Sequence, residues 1–272
     1  MPMITTRDGT ELYVKDWGLG RPVVLIHGWP LNSDSWEYQA VKLAEAGYRV
    51  VSYDRRGFGR SGQPWDGYDY DTLADDLADV IKGLDLADAT LVGFSMGGGE
   101  VARYMSRHGA GVSQAVFVSS VAPGMLKSPG NPDGITQDVL DGIRDGLRKD
   151  RPAFLTDFFK AFYGQGMVSG VSQPILDWSL GMAMSASPRA TLECVTAFGT
   201  TDFTGDVSGI TVPTLIVHGT GDKTVPIAAT AQRLADMLPQ ATLREYKGAP
   251  HGLTATHADQ LTQDLLEFLS QA

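Results

Sequence analysis

Cysteine is nearly absent from this 272-residue chain; Cys194 is its single thiol. An intramolecular disulfide framework is therefore excluded, and the usage suits a reducing compartment. Long apolar runs are missing too. The longest aliphatic stretches are a few residues, such as Val23-Val24-Leu25-Ile26, whereas a membrane span needs roughly 20 apolar residues. The amino-terminal MPMITTRDGT has no basic segment followed by an apolar one, so no secretory signal is read there. Positive charge is in deficit: 22 Lys+Arg against 32 Asp+Glu leave a net charge of −10. With no basic stripe to meet phosphates, nucleic acid and anionic membranes are disfavoured as partners. Histidine and cysteine do not cluster at metal-ligand spacing, and there is no internal repeat. A soluble, cytoplasmic protein without a metal site is the expectation.

What is present is ordinary globular material, 43% hydrophobic and 20% charged, in a chain long enough to bury a sizeable core. Short β-branched runs end in glycine-rich turns, and amphipathic helical patterns follow them. The runs are 22–27, 48–53, 89–94, 112–119, 212–218 and 242–247. Their near-continuous hydrophobicity predicts strands buried on both faces of a parallel sheet. Two earlier runs, 3–7 and 11–17, are joined at Asp8-Gly9, a hairpin signal that predicts an antiparallel edge. Leu73, Leu77, Val80 and Leu84 share one helical face, with Asp71 as the expected N-cap. Leu261, Leu265, Phe268 and Leu269 make a similar stripe near the end. Strands alternating with helices imply βαβ crossovers and an α/β fold with helices on both faces.

The segment 123–207 breaks this rhythm. It reads as helical pieces at 135–149, 153–163, 175–185 and 190–198. We expect a helical lid inserted into a core made of 1–122 and 208–272. Such an insertion leaves and re-enters at the strand C-termini, where open α/β sheets bind ligands.

Gly93-Phe94-Ser95-Met96-Gly97 matches G-x-S-x-G between a strand-like run and a helical stretch. That context predicts a sharp turn that exposes the Ser95 hydroxyl above the sheet, with small residues two positions away on each side. The Met96 amide, at a helix N-terminus, can point at a developing oxyanion. A serine alone is a poor nucleophile at neutral pH and needs a base. Of five histidines, His251 lies in a loop between the last strand and the last helix, on the side where Ser95 emerges. His27, His108, His218 and His257 read as structural, His108 beside the last carbonyls of its helix. Asp222, just beyond the penultimate strand, is placed to orient the base; its bland role is an Asx-type turn. Asp202 and Asp206 precede that strand and fit less well. The order Ser95, Asp222, His251 is the one expected for α/β-hydrolases. A second oxyanion amide is read at Trp29, in His27-Gly28-Trp29-Pro30.

Together with Asp54-Arg55-Arg56-Gly57-Phe58-Gly59-Arg60-Ser61, His218-Gly219-Thr220-Gly221-Asp222 and Pro250-His251-Gly252, these motifs resemble the α/β-hydrolase superfamily over nearly the whole chain. The fold this implies is a mostly parallel eight-stranded sheet with a helical lid. More closely, the chain is similar to bacterial aryl esterases and cofactor-free haloperoxidases (perhydrolases). That resemblance implies hydrolysis of small carboxylic esters. It also implies peracid formation from a carboxylic acid or ester and hydrogen peroxide, with no metal, haem or other cofactor, and often a homo-oligomer. Proline directly after the oxyanion-loop aromatic, as at Pro30, is typical of members with strong peracid chemistry.

The resemblance also assigns Trp29, Val121, Met125, Phe158, Phe198, Thr224 and Ile227 to the pocket wall. Such bulk, without a matching Arg or Lys, favours neutral esters with short acyl chains. Gly57-Phe58-Gly59-Arg60-Ser61-Gly62 matches a dinucleotide-binding pattern, but Gln63-Pro64-Trp65-Asp66-Gly67 separates it from the next helix, which argues against that use. Two alternatives stay open. One is a ligand sensor that retains the same three residues. The other is a hydroxynitrile-lyase-type enzyme, which resembles a pattern with a lid lysine near the serine, for which Lys127 and Lys160 are candidates.

Overall fold

The computed structural model describes residues 3–166 and 170–271. Eight strands form one sheet: β1 (Met3–Thr5), β2 (Glu11–Trp17), β3 (Pro22–Ile26), β4 (Arg49–Tyr53), β5 (Ala89–Phe94), β6 (Val112–Val118), β7 (Thr214–Gly219) and β8 (Thr242–Tyr246). Their order across the sheet is β1-β2-β4-β3-β5-β6-β7-β8. β1 and β2 pair antiparallel through the Asp8-Gly9 turn, β2 pairs antiparallel with β4, and every other pairing is parallel. The central strands β3, β5, β6 and β7 are almost wholly buried. Helices cover both faces, so these strands need apolar residues at successive positions rather than alternate ones.

The helices are α1 (Glu37–Glu45), α2 (Tyr70–Gly83), α3 (Met96–His108), α4 (Gln137–Phe162), α5 (Gln173–Ser185), α6 (Pro188–Thr200), α7 (Thr204–Val207), α8 (Ala231–Met237), α9 (Leu253–Thr256) and α10 (Ala258–Leu269). Leu73, Leu77 and Val80 of α2 are buried, as are Leu261, Leu265, Phe268 and Leu269 of α10. Asp69, rather than Asp71, caps α2. Its backbone is extended and its carboxylate accepts from the Thr72 amide, while Asp71 already lies in the first turn and pairs with Arg107 at 3.2 Å. His108 does not serve the end of its helix either; its Nε2 lies 2.6 Å from the Asp75 carboxylate.

Between β6 and β7 lie α4, α5, α6 and α7. α4 breaks at Asp150, whose backbone is extended and whose carboxylate accepts from the Ala153 amide. Pro152 sits in the first turn of the second half, where its missing N–H costs no helical hydrogen bond.

One polar cluster lies in the interior where β3, β4 and α3 meet. Arg55 bonds the Glu100 carboxylate of α3 and donates to the His27 carbonyl at 2.6 Å, while the Tyr53 hydroxyl donates to Glu100 at 2.8 Å. Arg55 and Glu100 are both buried. Removing one partner strands the other charge in the core. Glu100→Ala is expected to cost about 3–5 kcal/mol of unfolding free energy in urea titration. A loss below about 1 kcal/mol would show that the pair is not an anchor of the fold.

Candidate active site

Ser95 is the first residue beyond β5 and precedes α3. Its φ of 54° and ψ of −118° lie outside the ordinary regions for an L-residue. The turn is held from several sides: the Ser95 amide donates to the Val118 carbonyl at 2.8 Å, and its carbonyl accepts from Gly98 and Val121. Glycine is required on each side by close approach. A Cβ at Gly93 would lie 2.4 Å from the Gly97 carbonyl oxygen, and one at Gly97 would lie 2.5 Å from that of Ile26. The turn therefore packs backbone against backbone and leaves the serine side chain as the group that projects.

What it meets comes from the far end of the chain. The His251 Nε2 lies 2.9 Å from Ser95 Oγ, and Nδ1 lies 2.6 Å from Asp222 Oδ2. A carboxylate can only accept, so Nδ1 carries the proton and Nε2 presents its lone pair to the hydroxyl. The imidazole is 1% exposed. Phe94 and Phe162 pack against it at ring-centroid distances of 5.2 and 4.8 Å. Its loop is tied down by Gly252, whose amide donates to the Phe162 carbonyl at 2.9 Å, and by its own carbonyl, which accepts from Ser119 Oγ.

Asp222 does two jobs with its two oxygens. Oδ1 accepts from the Thr224 and Val225 amides at 2.9 and 2.8 Å, closing the Asx-type turn, and Oδ2 faces His251. Asp202 and Asp206 are engaged elsewhere. Asp202 accepts from Thr204 at the start of α7, and Asp206 pairs with Arg103 at 3.0 Å.

His218 is the residue whose place the sequence did not reveal. It is fully buried, and its Nε2 lies 2.9 Å from the Val225 carbonyl and 3.2 Å from Asp222 Oδ2. Both neighbours are acceptors, so Nε2 is the protonated nitrogen; Nδ1 has no partner among the described residues. Asp222 thus receives two imidazole N–H groups on one oxygen. Burial alone would raise its pKa, but His251 and His218 outweigh that and hold it well below the ordinary carboxylate range. His27 is a contrast: burial and the adjacent Arg55 push it down to about 3, so it stays neutral, and it accepts from the Arg55 amide at 3.0 Å.

Met96 begins α3, where the first amides have no intrahelical acceptor. Among the described residues, no hydrogen bond engages the Trp29 or the Met96 amide. The Trp29 ring is fixed instead by Nε1, which donates to the Thr191 carbonyl at 3.1 Å, by an edge contact with Phe158 and by a tilted contact with Phe198.

Ser95 opens into a cavity of about 430 Å³, mouth included. Of the residues that the resemblance assigns to the wall, Trp29, Val121, Met125, Phe158, Phe198 and Thr224 line it. Ile227 does not; it is half-buried against the core, and Val225, held by the Asp222 turn, lines the cavity two positions earlier. Ile135, Val139 and Ile143 complete the wall. Val139 and Ile143 lie one turn apart on α4, and Ile135 precedes that helix. Neither Lys127 nor Lys160 lines the cavity; Lys127 is exposed and Lys160 pairs with Asp157 at 2.9 Å. Among the described residues no group of three or more His, Cys, Asp or Glu is placed to hold a metal ion. The G-x-G-x-x-G stretch is not a helix N-terminus; α2 begins only at Tyr70, and Arg60 there is paired with Asp54 at 2.8 Å.

A strand–serine–helix turn at the C-terminal edge of a parallel sheet, with an aspartate and a histidine supplied beyond the ends of the last two strands, defines an α/β-hydrolase. The model of the alpha/beta hydrolase fold family matches residues 21–258, and the chain belongs to that family. Among its relatives, non-heme chloroperoxidase CPO-A1 of Kitasatospora aureofaciens is 47% identical over the full length of both chains. The bifunctional esterase/perhydrolase DCH of Acinetobacter calcoaceticus is 41% identical, with 99% of each chain covered. The crystal structure of a bromoperoxidase from Bacillus anthracis superposes with a TM-score of 0.94 at 45% identity, again covering 99% of each chain.

The lowered Asp222 pKa sets a sign for stability. Its ionised form favours the folded chain fully above the unfolded carboxylate pKa, and that contribution is lost as the pH falls through the lowered folded value. Asp222→Asn is therefore expected to unfold at lower urea than wild type at pH 7, with the gap closing below about pH 4. A gap that widens on acidification would contradict the assignment.

Proposed function

We propose that this protein is a serine hydrolase of small neutral carboxylic esters that also transfers the acyl group to hydrogen peroxide, giving a peracid. The single observation that carries the reading is the chain of contacts from Ser95 Oγ to His251 Nε2 at 2.9 Å and from His251 Nδ1 to Asp222 Oδ2 at 2.6 Å, opening on an apolar cavity. The perhydrolase half rests on the relatives, which include haloperoxidases and an esterase/perhydrolase.

The steps follow from the geometry. Ser95 Oγ attacks the ester carbonyl while His251 Nε2 takes its proton. Asp222 holds the imidazole in the tautomer that leaves Nε2 free and stabilises the charge it gains. The Trp29 and Met96 amides receive the oxyanion; one such donor contributes on the order of 10²–10³ in rate. His251 returns the proton to the leaving alcohol. Water or hydrogen peroxide then attacks the acyl-enzyme, with His251 again the base. The helices between β6 and β7 would act as the lid, a reading supported by Phe158 of α4 and Phe198 of α6, which line the cavity into which Ser95 opens. Water yields the acid and peroxide yields the peracid, which can oxidise halide in free solution.

Ser95→Ala should lower 4-nitrophenyl acetate hydrolysis and peracid formation together, each by at least about a thousandfold. Undiminished cleavage would remove Ser95 from the mechanism. A wild type that releases one equivalent of nitrophenol and then stalls with the product retained would instead identify a sensor.

The bulk of Trp29, Phe158 and Phe198 around Ser95 sets the acyl preference. Acetyl esters should be cleaved faster than octanoyl esters, as measured by kcat/KM; the reverse order would contradict the small-pocket reading. Pro30→Leu should lower the ratio of perhydrolysis to hydrolysis, because Pro30 restrains the loop beside the acyl-enzyme. An unchanged ratio would mean that this loop does not select the peroxide.

A further inference from the structure

Among the described residues, Met125 is the one thioether in the wall of the cavity that holds Ser95. It is 2% exposed, so an oxidant in bulk solution meets it only through that cavity. Cys194, the other soft sulfur to consider, is fully buried outside the cavity wall, and burial pushes its thiol up to about 12, so it offers little thiolate. Among the described residues two methionines are open to solvent, Met3 at 44% and Met184 at 39% exposure. Bulk oxidation should therefore strike those two first and Met125 late.

We propose that Met125 is a modification site, oxidised to the sulfoxide by the peroxycarboxylic acid formed on Ser95 before that acid leaves the cavity. The proposal rests on the perhydrolase reading above. The outer peroxy oxygen of the peracid is transferred to Sδ. The O–O bond breaks and an S–O bond forms. Sulfur loses two electrons, the peracid is reduced to its carboxylic acid, and the peracid proton ends on the carboxyl group. The nascent peracid sits in the same enclosed wall as the thioether, so its effective concentration there exceeds that in solution. Trp29, the competing oxidisable wall residue, is packed between Phe158 and Phe198 with its Nε1 already bonded to Thr191. A sulfoxide replaces a flexible apolar group by a polar one, in a wall otherwise made almost entirely of apolar side chains. Ester turnover should fall as it forms.

The test is site-resolved mass spectrometry during turnover of acetate and hydrogen peroxide, with peracid followed by bromide oxidation. The tryptic peptide 108–127 carries Met125 as its sole methionine. In wild type, Met125 should gain one oxygen at least about fivefold faster than Met184, inverting the order that exposure dictates. In Ser95→Ala with the same acetate and peroxide, Met125 should stay reduced while Met3 and Met184 oxidise at the slower rate that hydrogen peroxide alone supplies. Loss of esterase activity should track the Met125 sulfoxide, and Met125→Leu, scored against its own starting rate, should lose activity at least about threefold more slowly. Peracid accumulating while Met125 oxidises no faster than Met184, or equally in Ser95→Ala, would overturn the proposal and leave the perhydrolase reading standing. Absence of peracid would overturn both.

Discussion

Everything at the site hangs on one residue held in a conformation that its own backbone resists. Ser95 has a positive φ, and a strained non-glycine position persists only when its surroundings over-determine it. Here they do: β6 receives its amide, α3 and the turn after β6 hold its carbonyl, and two glycines let neighbouring backbone close around it. The fold supplies the stiffness. Four parallel, doubly buried strands form a floor that a single loop cannot deform, and the Arg55–Glu100 pair ties α3 to the end of β3 beneath the turn.

The second constraint is electrostatic. Asp222 is a buried carboxylate, which is costly unless its oxygens are occupied. Two backbone amides and two imidazoles occupy them. The same contacts that make the charge tolerable also fix the His251 ring, so stability and orientation come from one set of hydrogen bonds. Phe162 extends this coupling to the helices between β6 and β7. Its carbonyl holds the His251 loop and its ring packs on the imidazole, while its neighbour Phe158 lines the cavity.

Much of this was legible in the chain because its strongest signals are local. The 89–94 and 11–17 strands and the glycines around Ser95 each reflect a nearby steric or periodic requirement. The features that escaped depend on contacts between distant segments or on fine backbone geometry. Nothing before Gly219 marks His218 as a partner of Asp222; that follows from the turn that folds Val225 back over β7. The N-cap moved from Asp71 to Asp69 because two aspartates two residues apart differ only in backbone angle. Val225 rather than Ile227 faces the cavity because the Asp222 side chain fixes the turn, which a residue pattern does not display. Val139 and Ile143 lie one turn apart on α4, but nothing in the chain showed the cavity they border.

The central claim is that Ser95 carries the acyl group between two half-reactions. Acid-quenching the enzyme during turnover of 4-nitrophenyl acetate, followed by peptide mass mapping, tests it without any substitution. The account predicts one acetyl group on the peptide containing Ser95, attached at its hydroxyl and discharged faster when peroxide is added. Rapid turnover with no acetylated peptide, or with the acetyl group on another side chain, would contradict it.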